Sequence, residues 1–224
     1  MKILLTSDIH GNHEALKTLL TASPPFDVLV CLGDITGYYP QVNEVAALLR
    51  SHPLIALRGN HDEMTLHGDI AGLAEPVRFG IETARAELLP EHREWLAELP
   101  ARREVELGGR RFLFVHGSPW DPLNEYIHAD SPKLPEIAAL PFDVVAWGHT
   151  HREVFSQQSD GRWLINPGSV GQSRSSRGHA CAALFCTETM AALPLAISYN
   201  PATIIAACQA RGAGEWVAKS LTKD

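Results

Sequence analysis

Residues 2–12 read Lys-Ile-Leu-Leu-Thr-Ser-Asp-Ile-His-Gly-Asn, a short apolar run broken at once by metal-ligand and turn residue types. Four later segments repeat the layout. Val28 to Leu32 runs into Gly33-Asp34, and Leu54 to Leu57 into Arg58-Gly59-Asn60-His61-Asp62. Arg111 to Val115 runs into His116-Gly117, and Val144 to Trp147 into Gly148-His149-Thr150-His151. Open α/β sheets gather their ligand sites at the carboxyl ends of strands, so the five clusters are expected to meet along one edge.

Working outward, Asn12 is a plausible N-cap for a helix through Glu14, Leu16, Leu19 and Leu20, which Pro24-Pro25 ends. A second helix is expected from Pro40 to Leu49. Residues 63–99 are rich in Ala, Leu, Glu and Arg and read as a helical insertion with breaks at Pro76 and Pro90. After Pro100 the periodicity turns to strands. Arg103 to Leu107 and Arg111 to Val115 flank Gly108-Gly109 as a hairpin, since paired glycines suit tight primed turns. Further strands are expected over 152–156, 163–165, 180–186 and 190–197, a last helix over 201–211, and a loosely held tail from 214. A strand-helix first half followed by a strand-rich second half predicts an α/β fold: two mainly mixed β-sheets packed face to face and flanked by helices, an αββα sandwich in a single domain, 1–224.

With 224 residues, 45% of them hydrophobic and 20% charged, the chain can bury a core, which excludes a disordered class. Its 19 Lys+Arg against 26 Asp+Glu give a formal charge of -7. That argues against a broad basic surface, so no stable nucleic-acid partner is expected. No stretch approaches the ~20 apolar residues of a membrane span. The amino-terminal apolar run is too short for a signal-peptide core. Cys31, Cys181, Cys186 and Cys208 form no Cys-x-x-Cys pair and read as reduced thiols. A cytoplasmic protein is the expectation, with homo-oligomerisation left open.

The chain has 11 His, of which His10, His61, His116, His149 and His151 follow apolar strands, while the other six share no spacing. Any one of these imidazoles taken alone would be an ordinary structural histidine. Grouped with Asp8, Asp34 and Asn60 they look like a metal site, and no Ser or Cys nucleophile elbow competes with that reading. In Asp8-x-His10 and His149-x-His151, alternate residues of an extended segment can face one cavity. Seven donors exceed the needs of one ion and suit two ions bridged by a carboxylate, for which Asp34 is the natural choice. Mixed imidazole and oxygen donors without thiolate favour Mn, Fe, Zn, Co or Ni.

Asp8-Ile9-His10-Gly11-Asn12, Gly33-Asp34, Gly59-Asn60-His61-Asp62, Val115-His116-Gly117 and Gly148-His149-Thr150-His151 together resemble, in order, the five motifs of calcineurin-like metallophosphoesterases. The likeness is greatest to the small prokaryotic phosphodiesterase branch, in which Asn166 to Gly171 and the His-Gly-Ser-Pro-x6-Tyr stretch from His116 to Tyr126 also recur. The resemblance implies a metal-dependent phosphodiesterase of small phosphate-ester substrates with two divalent ions, manganese first among the metals above. It implies that Asp8, His10, Asp34 and His151 hold one ion and Asp34, Asn60, His116 and His149 the other. His61 would act at the scissile phosphate and Asp62 would orient it. A metal-activated water would attack phosphorus.

The Gly-Asp-x-x-Asp-Arg motif of the nucleoside-tetraphosphate hydrolase and protein phosphatase branches is absent, Gly37 and Tyr38 standing in place of its Asp and Arg. A phosphomonoesterase on the same site and a non-catalytic scaffold are the alternatives. Asn12 and Arg58 are candidate substrate contacts, each with a competing role, as a helix cap and as an ion-pair partner. Tyr38, Tyr39 and Trp120 read as a substrate wall or as rim packing. Residues 173–179, with Arg174 and Arg177, read as a phosphate-attracting loop or as a solvated turn.

Overall fold

The computed structural model describes residues 1–222. Its first third is strand and helix in alternation: β1 (Lys2–Thr6), α1 (His13–Ala22), β2 (Val28–Cys31), α2 (Val42–Arg50) and β3 (Leu54–Ala56). Three helices follow, α3 (Asn60–Leu66), α4 (Glu75–Glu87) and α5 (Pro90–Glu98). The second half holds β4 (Arg102–Leu107), β5 (Arg110–Val115), α6 (Leu134–Ala138), β6 (Val144–Ala146), β7 (Glu153–Gln157), β8 (Trp163–Pro167), β9 (His179–Cys186) and β10 (Ala191–Ser198). Two helices, α7 (Ala202–Gln209) and α8 (Trp216–Leu221), end the described chain.

The strands form two mixed five-stranded sheets, ordered β10-β9-β1-β2-β3 and β4-β5-β6-β8-β7, with helices outside. In the first, β1 runs parallel to β2 and antiparallel to β9; in the second, β6 runs parallel to both β5 and β8. Alternation along each strand divides the apolar residues between two faces. Ile3, Leu5, Val30 and Leu32 meet Phe112, Phe114, Val144 and Ile165 between the sheets. Leu4, Leu29 and Cys31 point outward onto Leu16, Leu19, Val45 and Leu49 of α1 and α2. Leu113, Val145 and Leu164 likewise cover Ile137 of α6. Burial on both faces is why these strands read as unbroken apolar runs.

The helical stretch is interrupted just before Pro76 and Pro90, where breaks were expected, and each proline stands in the first turn of the next helix, α4 and α5, where its missing N–H costs nothing. Elsewhere the structure differs from the sequence reading. The helical stretch begins earlier than residue 63, because α3 starts inside the third strand-end cluster, at Asn60. The segment from 214, expected to be loose, contains α8, whose Val217 and Leu221 are buried with Tyr38, Tyr39 and Ile204; residues 223 and 224 lie outside the described residues. The hairpin turn is as expected, with Gly108 and Gly109 both at positive φ, 55° and 73°. No helix among the described residues is long and apolar enough to cross a membrane.

Candidate metal centre

The loops after β1, β2, β5 and β6 and the first turn of α3 converge where the two sheets meet. Asp8 and His10 follow β1, Asp34 follows β2, and Asn60 and His61 open α3. His116 follows β5, and His149 and His151 lie between β6 and β7. The turns are sharp enough that Asp8, His10, Asp34, His149 and His151 all adopt left-handed backbone, φ between 52° and 66°. Each such residue costs about 1–3 kcal/mol and persists only where its surroundings hold it.

Those surroundings are hydrogen bonds between the loops. Asp8 and His10 N–H donate to Gly33 O and Asp34 O, and Val170 and Gly171 N–H donate to Ser7 O and Asp8 O. Ser169 Oγ donates to Asp8 O at 2.7 Å, and Asn166 Nδ2 donates to Gly148 O at 2.7 Å. The stretch Asn166 to Gly171 thus clamps the Asp8 and His149 loops to each other. A direct tie crosses between the sheets as well: His149 N–H donates to Asp8 Oδ2 at 3.0 Å.

The imidazoles are aimed by backbone carbonyls. Since a carbonyl only accepts, the ring nitrogen facing it carries the proton. Nδ1–H donates to Thr36 O from His10, to Gln172 O from His151 and to Leu32 O from His116, at 2.8–2.9 Å. His149 is reversed, its Nε2–H donating to Asn124 O at 3.1 Å. The remaining nitrogen of each ring therefore faces the cavity, as ligand histidines do.

There the donor atoms crowd. His10 Nε2 and His151 Nε2 are 3.0 Å apart, and His116 Nε2 lies 3.2 Å from His149 Nδ1 and 3.0 Å from Asn60 Oδ1. Asp34 Oδ2 is 3.7 Å from His10 Nε2 and 3.4 Å from His116 Nε2, and Asp8 Oδ1 is 3.3 Å from His151 Nε2. Asp8 Oδ1 is buried without any hydrogen-bond partner. Lone pairs turned on one another around an orphaned carboxylate oxygen are relieved by a cation, so the donor set fits a metal on its own chemistry. Among the described residues, three groups could hold an ion: Asp8, His10 and His151; His10, Asp34 and His61; Asp34, His116 and His149.

The electrostatics agree. Burial alone would raise both aspartates, yet His151 pulls the Asp8 carboxyl below the usual carboxylate range, and His116 and His61 hold Asp34 well below it. Burial opposes a proton on His116 too, but the Asp34 charge beside it pushes the ring up to about 9. Burial and the neighbouring His116 lower His149 to about 4. Two ionised, buried carboxylates call for positive charge at this place, and a bound cation displaces the protons that otherwise supply it.

All seven expected donors are thus brought together. His61 adjoins them, its ring 4.7 Å from that of His10 and its Nε2 4.0 Å from Asp34 Oδ2, with Nδ1 buried and unpartnered. Asp62 does not serve the ring. Its carboxylate accepts from Gly59, Ile35 and Thr36 N–H and from Thr36 Oγ1, at 2.8–3.1 Å, which ties the start of α3 to the loop behind Asp34. Asn12 is fully buried and caps α1, accepting from Ala15 N–H while both its amide protons go to Gly171 O and Tyr199 Oη. Nothing of its amide donor remains for substrate.

Arg58 is held by Glu63, Nε to Oε2 3.0 Å, and by Ala97 O. Tyr39 is core, bonded to Ser220 and Gln172, whereas Tyr38 sets its ring edge-on to His10 at 4.6 Å and 5.0 Å from His61. Trp120 stays exposed beneath the Lys133 ammonium. Two contributors had no role in the sequence reading: the Asn124 carbonyl that aims His149, and Tyr126, whose exposed ring lies 3.8 Å from that of His149. A carbonyl has no sequence signature, while Tyr126 ended a motif that could have flagged it.

A model of the calcineurin-like phosphoesterase superfamily domain matches residues 1–190. The chain belongs to that superfamily. An uncharacterised protein of Methanocaldococcus jannaschii is 28% identical over 201 residues, 82% of each chain. A solved metallophosphoesterase from Sphaerobacter thermophilus is 29% identical with TM-score 0.86, covering 99% of this chain and 98% of that one. A solved archaeal phosphodiesterase shares the fold at TM-score 0.53 and 21% identity, over 88% of this superfamily member and 100% of that chain.

Proposed function

We propose that this superfamily member is a dinuclear metal-dependent phosphodiesterase acting on small phosphate esters. One observation carries the reading: buried Asp34 stands within reach of both His10 and His116, so one carboxylate belongs to two donor groups. Asp8, His10, Asp34 and His151 would hold one ion, and Asp34, Asn60, His116 and His149 the other. When bound, two divalent ions, manganese first, neutralise phosphate oxygens and acidify water for attack at phosphorus.

His61 stabilises the charge that develops in the reaction. Burial lowers its pKa, so the ring is neutral near pH 7 and retains one N–H to present as a hydrogen-bond donor to the phosphoryl group or the leaving oxygen. Water oxygen bonds to phosphorus, the ester P–O bond breaks, and the departing alkoxide, hydrogen-bonded by this ring, takes up the proton that the attacking water gives up. The preference for diesters over monoesters is supported by Tyr38 standing where the Gly-Asp-x-x-Asp-Arg motif has its Arg, so that this position sets an aromatic ring rather than a guanidinium against His10 and His61.

Hydrolysis of bis-p-nitrophenyl phosphate is expected to require added Mn or a similar ion and to exceed that of p-nitrophenyl phosphate. Asp34→Asn is expected to lower it at least ~100-fold with an unchanged circular dichroism spectrum. Full activity in a folded Asp34→Asn variant overturns the proposal.

A further inference from the structure

Beside the metal centre lies a cleft of about 500 Å³, a ligand-sized volume. It shares its inner wall with the centre. Gln172 O receives the His151 Nδ1 proton, Arg174 N–H donates to His151 O at 3.1 Å, and the Arg174 side chain reaches the Tyr38 hydroxyl. The strand-end loop that aims a metal-ligand histidine therefore also carries the first cation of the cleft.

Arg152 and Lys219 stand with Arg174 as basic residues of the cleft, and among the described residues lining it there is no carboxylate. Such a concentration is out of keeping with a chain whose formal charge is -7. The one carboxylate paired with Lys219 is Glu215 at 3.5 Å, an exposed i,i+4 contact of little strength. Guanidinium groups fix phosphate oxygens in pairs, and clustered cations in a cleft focus the field on an anion.

We infer that this cleft is a second phosphate subsite: the substrate carries at least one phosphate beyond the one cleaved, as nucleoside and dinucleoside polyphosphates do. The cleaved phosphorus lies at the metal centre and the remaining chain along Arg174, Arg152 and Lys219. This rests on the phosphoesterase reading for the reaction, but the subsite itself does not depend on metal.

Two measurements on the full chain separate the two ideas. The first is calorimetric titration with inorganic tripolyphosphate in the presence of chelator, for the wild type, Arg152→Ala and Lys219→Glu. Binding is expected in the wild type and about tenfold or more weaker in each variant. Both side chains are exposed, so circular dichroism is expected to show no loss of fold. No binding by the wild type, or equal binding by all three, overturns the subsite.

The second measurement is kinetic, with metal added. KM for diadenosine tetraphosphate is expected to rise about tenfold in each variant while KM for bis-p-nitrophenyl phosphate stays within about twofold. Equal effects on both substrates overturn the assignment. Inert bis-p-nitrophenyl phosphate under every divalent ion overturns the phosphoesterase reading, and the titration still decides the subsite.

Discussion

A methyl group added at Gly59 would sit 2.2 Å from Asp34 Oδ1 and 2.4 Å from its backbone nitrogen, so no side chain fits there without displacing Asp34. Gly59→Ala is expected to weaken metal affinity and activity by about 10–100-fold, measured by metal titration and kcat/KM, although residue 59 itself donates nothing to an ion. His61→Ala separates binding from chemistry in the opposite sense. It is expected to retain two ions per chain by elemental analysis while kcat falls about 10²–10⁴-fold; loss of an ion would move His61 among the ligands. At this scale the sequence was most legible where a side chain itself bears the donor atom, as in Asp8, Asp34 and the strand-end histidines. It was least legible for Asp62, whose adjacency to His61 suggested a partner although α3 turns its carboxylate to the Gly59, Ile35 and Thr36 amides.

Helix α1 offers a direct contrast between the two readings of Asn12. Removing its amide deletes the cap on Ala15 and the ties to Gly171 and Tyr199. Asn12→Ala is expected to cost about 1–2 kcal/mol of stability in urea unfolding and to leave KM unchanged; a raised KM with unchanged stability would restore it as a substrate contact. The strands and α1 were readable because their burial patterns are strong and local. Helix α6, five residues with a proline, falls below any periodic signal, and α8 is ordered by partners far off in sequence, Tyr39 bonding Ser220 and stacking its ring on Trp216. Leu221→Ala, emptying the buried end of α8, is expected to cost about 2 kcal/mol or more.

Over the whole molecule, the donors come from loops of both sheets, so a bound ion links two halves that otherwise meet through Phe112, Phe114 and their neighbours. At a free metal concentration 100 times Kd, loading is worth about 2.7 kcal/mol for one ion, which for a chain of this size raises Tm by roughly 5–11 °C. Asp34→Asn is expected to abolish most of that shift in differential scanning calorimetry. The four thiols report the fold independently. Burial pushes Cys181 and Cys208 up to about 12 and Cys31 further, while a hydrogen bond from Thr189 lowers partly exposed Cys186. One thiol per folded chain is expected to react rapidly with a disulfide reagent, and Cys186→Ser to remove that phase.

Which strands share a sheet was not legible in the sequence, because apolar runs carry no label of their partners. The pairing that emerges sets an order of assembly. β1 lies between β2 and β9, joining Lys2 to Cys186 and Leu5 to Ala183, while every proposed ligand lies at or before His151. During synthesis the full set of ligands therefore leaves the ribosome while β1 still exposes one unpaired edge. Protection of that edge from aggregation is delayed until β9 emerges, so β1, made before every other strand of its sheet, is among the last to gain its full set of neighbours.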